Sequence, residues 1–341
     1  MRVLLQGRDR SASRRGGDST VADRLARELE SLGHDVVIAS RPPDGGLGRF
    51  DVVHAINLDR SVLTETETLA RAARAAGARL VVTPLWWPLD RYVRGMPRMQ
   101  ALAFRAKGLG PVRALRDRRR ESLRSVRRRQ AAVLAASDAV CPTGRSEAFA
   151  LEDAFGPLRT AVVALATHRR PSAERRPRCG VLCVGRLDPR KNQLALITAL
   201  RGSGIPLRLI GTGEVFPAYA ARCREAAGAG VELSGFVSEA ELDEAYRSAR
   251  VHALPSWFEL PGLVSLDAAA SGAAVVVSRA GTAGEYLGRG AAYCSTDPVS
   301  VRSAVMDAYE AGPPEGLAAR VASTYTWRAT AECYLEAYHA S

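Results

Sequence analysis

Short apolar runs alternate along this chain with longer stretches in which apolar residues recur every three or four positions. Val3-Leu4-Leu5 comes first, followed by a loop of Gly, Ser and Arg ending at Gly16-Gly17. Val21, Leu25, Leu29 and Leu32 then repeat with a helical period that Gly33 closes. Asp18 and Ser19 are residue types suited to capping that helix. Val36-Val37-Ile38, Val52-Val53 and Leu80-Val81-Val82 predict further strands, the last two separated by a helix over 61–76. Short apolar strands alternating with helices predict parallel strands in a doubly wound sheet. Over 112–134, Arg113, Arg116, Arg120, Arg124 and Arg127 fall on one helical face. Val112, Leu115, Val126, Val133 and Leu134 supply most of the other. Ala139-Val140-Cys141 and Ala161-Val162-Val163 predict the last strands of a first domain.

Residues 168–178 have no apolar period, and their two prolines and several charges predict a linker. A second alternation follows. Strands are predicted at 180–185, 207–210, 231–233, 251–254 and 274–277, the last closing the series. Helices are predicted at 191–200, near 216–227, and at 239–248 and 262–270. The end, Thr324-Tyr325-Thr326-Trp327, leads into a final helix carrying Tyr334 and Tyr338. The layout predicted is an N-terminal domain over 1–167, the linker, and a C-terminal domain over 179–325. A terminal helix over 326–341 ends the chain.

The bulk numbers agree with this division. A chain of 341 residues suits two domains. No apolar run approaches the roughly 20 residues of a membrane span. Met1-Arg2-Val3-Leu4-Leu5-Gln6-Gly7 is too short for a signal-peptide core. The six cysteines are scattered without a CxxC pair. Cys179 and Cys183 are placed on one strand face, as buried thiols. All six are expected reduced, in a cytoplasmic protein. The net charge of +12 is concentrated: residues 91–130 hold 14 Arg or Lys against Asp117 and Glu121. Lysine occurs only at 107 and 191, so a lysine at 191 stands out against an arginine background.

The candidate chemistry lies mostly in the second alternation. In Gly185-Arg186-Leu187-Asp188-Pro189-Arg190-Lys191-Asn192 a strand ends and a helix begins. Ligands of such sheets bind beyond the carboxyl ends of strands. Arg186 and Lys191 would put two cations there, which suits a diphosphate and equally a charged surface turn. Gly211-Thr212-Gly213 occupies the next strand end. In Pro255-Ser256-Trp257-Phe258-Glu259-Leu260-Pro261-Gly262-Leu263-Val264-Ser265-Leu266-Asp267, a loop carries Glu259 and a helix starts near Gly262. Free backbone N–H groups at that start can hold phosphate or sugar oxygens. Asp267 follows about a turn in. A carboxylate accepts two hydrogen bonds and so suits a ribose diol, though an exposed charge is the plainer reading for both acids. The five histidines are far apart in sequence, and no metal-ligand cluster is evident.

These segments resemble the retaining GT-B glycosyltransferases of family 4, also described as glycosyl transferases group 1. The family signature is a Gly-Arg strand end with a following Lys. It is followed by a Glu-x7-Glu pair in a Pro-Ser…Glu…Gly-Leu…Glu-Ala…Gly frame. Here Gly185-Arg186, Lys191 and Glu259-x7-Asp267 match it. Gly235-Phe236-Val237 resembles the stretch whose backbone meets the nucleotide base, and Gly16-Gly17 the glycine loop that approaches the donor phosphate. Tyr325-Thr326-Trp327 and the helix over 326–341 resemble the tail that packs back on the first domain. The resemblance spans essentially the whole chain, strong over 180–290 and weak over 91–140. It implies two Rossmann-like doubly wound domains facing across a cleft, the first on the acceptor side and the second binding a nucleotide-sugar. It further implies that Arg186 and Lys191 neutralise the donor diphosphate. Glu259 would contact sugar hydroxyls, Gly262, Leu263 and Val264 would offer backbone N–H groups, and Asp267 would hold the ribose. Neither a metal nor a cofactor beyond the nucleotide-sugar co-substrate is implied.

Two departures stand out. The second acid of the pair is Asp267, one methylene shorter than Glu. Many family members place a histidine after a middle strand of the first domain, where this chain reads Val82-Thr83-Pro84-Leu85-Trp86-Trp87. Thr83, Trp86 and Trp87 are therefore the acceptor-side candidates, with one tryptophan expected in the core. His54, on an earlier strand, is expected to be structural. The implied activity is transfer of a sugar with retention to an acceptor hydroxyl, in surface or lipid-linked glycan synthesis. A natural-product glycosyltransferase, a GT-B sugar-nucleotide epimerase and a non-catalytic GT-B partner are the alternatives. The basic residues 91–130 read either as a solvated helix face or as a surface for an anionic membrane or acidic acceptor. That would place the protein in the cytoplasm or on the inner face of the membrane. With only Tyr92 and Phe104 for stacking, nucleic acid is not the expected partner.

Overall fold

A computed structural model of the chain describes residues 1–7, 16–88, 123–171 and 177–340. They divide into two compact units. One comprises the described residues of Met1–Pro88, those of 123–166 and those from Tyr325 on; the other is built on Thr167–Thr324. The second unit therefore begins one residue before the segment expected as a linker, and takes that segment's described residues into itself. Arg169 is buried there and pairs with Glu239 and Asp243.

The first unit contains β1 (Arg2–Gln6), α1 (Gly17–Ser31), β2 (Asp35–Ala39), β3 (Val52–Ile56) and α2 (Leu63–Ala76). It continues with β4 (Arg79–Thr83), α3 (Leu123–Ala136), β5 (Ala139–Val140) and α4 (Arg145–Phe155). The strands form one parallel sheet in the order β2-β1-β3-β4-β5. Val53, Leu80 and Val82 meet Leu63, Leu69, Val133 and Leu134 in its core. The apolar face expected of the basic helix is thus buried in its described part, while the arginines over 91–122 lie outside the described residues.

Three expectations are corrected here. Helix α1 is capped by Gly16, and Asp18 sits inside the first turn, where its Oδ2 accepts from Asn57 Nδ2 at 3.0 Å. Ala161-Val162-Val163 forms no strand, only single contacts to Val140 and Pro142. Pro142 has no N–H to continue the ladder, which limits pairing at this edge. Cys179 is exposed whereas Cys183 is buried. Gly180 between them adopts φ +68, which breaks the strict alternation that would put both thiols on one face.

The second unit contains β6 (Cys179–Val184), a 3-10 turn Pro189–Lys191, α5 (Gln193–Leu200), β7 (Leu207–Ile210), α6 (Pro217–Ala226) and β8 (Val231–Gly235). It continues with α7 (Glu239–Ser248), β9 (Ala249–Leu254), α8 (Leu263–Ala270), β10 (Ala274–Ser278), α9 (Ala283–Leu287) and β11 (Ala292–Cys294). Strand β11 was not expected. It is only three residues long and leaves a Gly288–Gly290 turn, too short a signal for periodicity to register. The sheet is parallel in the order β11-β10-β9-β6-β7-β8. The chain starts at β6, winds outward to β8, then returns to β9 on the other side of β6. The topological switch therefore lies between β6 and β9, where ligands of open α/β sheets collect.

Candidate functional site

The two segments singled out from the sequence leave the two strands that flank this switch. After β6 the chain passes Gly185, φ +142, and Arg186 and enters the 3-10 turn. Asp188 caps that turn, its Oδ1 accepting from the Arg190 N–H at 2.9 Å. Asn192 adopts a left-handed φ of 58 and joins the turn to α5. Its amide donates to the carbonyls of Pro255 at 3.2 Å and Thr296 at 2.8 Å, tying the turn to the loop after β9 and to the chain after β11.

That loop carries Glu259. The Lys191 Nζ donates to Glu259 Oε1 at 2.7 Å, and Arg190 Nη1 lies 3.5 Å from the same oxygen. The side chains of Lys191 and Glu259 are 13% and 7% exposed, so this is a nearly dry ion pair. Burial works against the charge of Glu259, but Lys191 and then Arg190 more than offset it, and the carboxyl is held below its usual range. For Lys191 burial dominates and lowers the ammonium, against the pull of Glu259. Arg186 is half-buried and has no ion pair among the described residues; its carbonyl accepts from Gln193 Nε2 at 2.7 Å.

The backbone of Glu259 is clamped by a segment that sequence reading passed over. Its N–H donates to Ala280 O at 3.1 Å, and its carbonyl accepts from Thr282 N at 2.9 Å. Gly281 makes this pairing feasible, because a Cβ there would stand 2.0 Å from Glu259 O. Gly262, φ +81, ends the loop and caps α8, leaving the Leu263 and Val264 N–H groups at the open end of the helix.

Asp267, a turn further along, is half-buried. Its Oδ1 accepts from Thr167 Oγ1 at 2.5 Å, and Thr167 Oγ1 in turn accepts from Arg169 N at 3.0 Å. Burial raises the Asp267 carboxyl above its usual range, with Thr167 opposing. One oxygen of the expected ribose ligand is thus already engaged by its own chain.

The glycines at 211 and 213 have packing reasons of their own. A Cβ at Gly211 would meet Gly185 O at 2.2 Å, and one at Gly213 would meet Ala220 Cβ at 2.2 Å. Phe236 is 76% exposed beyond the end of β8, with Val237 half-buried beside it. Gly16 and Gly17 lie in the first unit, at the start of α1.

The acceptor-side candidates fare differently. Thr83 is fully buried, with its hydroxyl 2.8 Å from His54 Nε2 and 2.7 Å from the Tyr334 hydroxyl. His54 Nδ1 reaches the Tyr338 hydroxyl at 2.7 Å, so His54 is the structural residue its strand position suggested. Burial lowers His54 to about 3, and it stays neutral. Thr83 offers no accessible hydroxyl: one partner is on the neighbouring strand β3, and the other, Tyr334, comes from a helix 251 residues away, beyond any local pattern. Trp86 is also a core residue, edge-on to Phe155 at 5.0 Å, with its indole N–H on Gln130 at 3.3 Å. Trp87 is half-buried. Thr83→Val should therefore lower the melting temperature, by an amount equivalent to about 1–3 kcal/mol for the partners left unpaired. It should leave kcat/KM for sugar transfer by the folded variant unchanged; a loss of transfer at a temperature where the variant is folded would restore Thr83 to the acceptor side.

Among the described residues, no group of three or more His, Cys, Asp or Glu is placed to hold a metal ion. No helix among them is long and apolar enough to cross a membrane.

Comparison with known proteins agrees with this fold. Residues 178–311 match the family model of glycosyl transferases group 1. The chain is 26% identical to the glycogen synthase of Mycobacterium tuberculosis, over 99% of this chain and 95% of that one. Its fold resembles that of sucrose-phosphate synthase from Thermosynechococcus elongatus (TM-score 0.78, 16% identity, 99% and 98% of the two chains). It also resembles Anabaena HepE in complex with UDP and glucose (TM-score 0.72, 15% identity, 99% of each chain). The chain is a glycosyltransferase of the GT-B type.

Proposed function

We propose that this glycosyltransferase is a retaining enzyme of family 4 that moves a hexosyl unit from a nucleoside-diphosphate sugar to an acceptor hydroxyl. The observation that carries the proposal is the Lys191–Glu259 pair at the switch between β6 and β9, with Arg186 just past the end of β6 and in no ion pair among the described residues. A nucleoside-diphosphate sugar presents both chemistries this pair can meet: phosphate oxygens for the cations, sugar hydroxyls for the carboxylate. As the bond between the anomeric carbon and the phosphate oxygen breaks, negative charge grows on the diphosphate. Arg186 and Lys191 stabilise that charge most in the transition state, which is what accelerates the step. Glu259 holds the sugar by accepting from its hydroxyls. The acceptor oxygen bonds to the anomeric carbon on the face the phosphate leaves, and its proton passes to the departing phosphate. Gly211, Gly213, Phe236 and Val237 line the base and phosphate side, Gly262, Leu263 and Val264 offer backbone donors, and Asp267 turns its second oxygen to the ribose. Gly16 and Gly17, at the start of α1, are the glycine-loop residues that the family resemblance assigns to the donor phosphate. The reaction needs no metal. The acceptor is a surface or lipid-linked glycan, reached from the cytoplasmic face of a membrane through the basic residues 91–130.

The test is calorimetric titration with UDP, GDP, ADP and dTDP in EDTA. One nucleotide is expected to bind in the micromolar range, about −8 kcal/mol. The sugar product made from the matching donor should keep the donor's anomeric configuration by NMR. If none of the four binds, the donor site is misassigned; an inverted product removes the retaining mechanism.

A further inference from the structure

Two cations, Arg190 and Lys191, face one carboxylate, Glu259, yet only Lys191 of this pair was assigned, with Arg186, to the diphosphate. We propose that Arg190 is the resident counter-ion of Glu259, a positioning residue that keeps this carboxylate in place as an anion while Lys191 turns to the donor diphosphate. The inference rests on the donor-site reading above and adds a residue that the resemblance did not assign.

The geometry separates the two cations. Arg190 is fastened to the loop that carries Glu259. Its carbonyl accepts from Trp257 N at 2.8 Å, its Nη1 donates to Phe258 O at 3.3 Å, and its guanidinium lies 5.1 Å from the Phe258 ring centre. A planar guanidinium stacked on an aromatic ring is a pre-organised contact, so Arg190 moves with the loop. The Lys191 ammonium is a compact charge on a flexible stem, anchored at its tip to Glu259. A diphosphate can therefore attract Lys191 more readily than Arg190. Charge matching points the same way. With Arg190 reserved for Glu259, Arg186 and Lys191 remain for the two negative charges of an esterified diphosphate.

Without Arg190, Glu259 would lose both cations when Lys191 turns away, inside a site 7% exposed. A dry carboxyl without a counter-ion takes up a proton. The other groups around it do not replace the charge. His252 on β9 is fully buried, lowered to about 3 and neutral. Cys183 on β6 is pushed up to about 12 by burial and is a neutral thiol. Asp188 caps the 3-10 turn and adds a charge of the wrong sign. Ser256 on the loop, Thr282 before α9 and Ser265 on α8 bring hydroxyls only.

The test compares wild type, Arg190→Met and Arg190→Lys by titration with UDP, GDP, ADP and dTDP in two buffers of different ionisation enthalpy. At about pH 6, Arg190→Met should take up roughly half a proton more per bound nucleotide than wild type, and Arg190→Lys should return most of the way. At about pH 8 both variants should bind within about threefold of wild type. Equal proton uptake in all three overturns the proposal. So does a loss of more than about tenfold in affinity at pH 8 in both variants, which would make Arg190 a phosphate ligand. If wild type binds none of the four, the donor-site reading fails, and the counter-ion role is read from melting curves against pH. Glu259 should then lose its contribution to stability at a pH about one unit higher in Arg190→Met, with Arg190→Lys between. Superimposed acid limbs overturn it. Should the Met variant not fold, the Lys variant alone carries both readouts at smaller amplitude.

Discussion

Lys191→Ala is expected to lower nucleoside-diphosphate affinity by about 100-fold, close to 3 kcal/mol, and to destabilise the free protein by a similar amount. The two losses share one cause. Lys191 is a nearly buried ammonium whose head meets Glu259 in the free protein and meets phosphate in the proposed complex. Removing it leaves Glu259 buried against Arg190 alone, at 3.5 Å rather than 2.7 Å. Stripping one partner from a buried pair costs more than the pair itself is worth, because the other charge stays desolvated. The double variant Lys191→Ala/Glu259→Ala should therefore melt higher than Lys191→Ala alone. The pH dependence has a definite sign. Glu259 has a lowered pKa in the folded protein, so its contribution is present above the unfolded value near 4.3 and is lost as pH falls through the folded one. Lys191→Ala weakens the main cause of that lowering, so the acid loss moves to higher pH. Nucleotide affinity equal to wild type would show that Lys191 serves the loop and not the ligand.

What was legible in the chain was whatever is written locally. Strand and helix alternation is a matter of neighbours, so both sheets and most of their helices followed from period and breaker residues. Strand β11 and the absent strand at 161–163 did not, because three residues carry no period and a proline decides an edge. The Lys191 and Glu259 positions were readable because each ends a strand and opens a turn. That they touch was not, since 68 residues separate them and only the switch-point topology joins β6 to β9. The same distance hid Thr83 beneath Tyr334, and Asp267 behind Thr167, 100 residues away. Gly281 was passed over because a glycine's reason is the backbone it lets in, here Glu259, 22 positions earlier. Arg190 looked like one arginine among 46. Only its place against Phe258 and Glu259 distinguishes it from Arg186.

Glu259→Gln should reduce kcat/KM for sugar transfer by about 100- to 1000-fold, the scale seen when one preorganised polar group is removed from a reacting centre. The amide has nearly the same shape, so loop geometry held by Gly281 and Thr282 is retained, and what is lost is charge. A neutral amide still accepts one hydroxyl proton but no longer sets the orientation of two. Nucleoside diphosphate without sugar should bind the variant at least as well as wild type, because Lys191 is released from its partner. The loss therefore separates sugar from nucleotide, and equal weakening of both would place Glu259 on the phosphate side. Stability supplies an independent reading. With Glu259 neutral, the buried Lys191 has lost its chief support, while burial still lowers its pKa. A lysine whose folded pKa lies below its unfolded value near 10.4 opposes folding at neutral pH, and stability recovers as pH rises between the two. Glu259→Gln should thus gain melting temperature on going from about pH 7 to pH 9.5 more steeply than wild type, in which Glu259 supports the Lys191 charge against burial. A flat profile in that window would mean that Lys191 finds water or another acid when Glu259 is gone. The pair would then be a surface contact and not the dry, charge-matched site on which the proposed transfer depends.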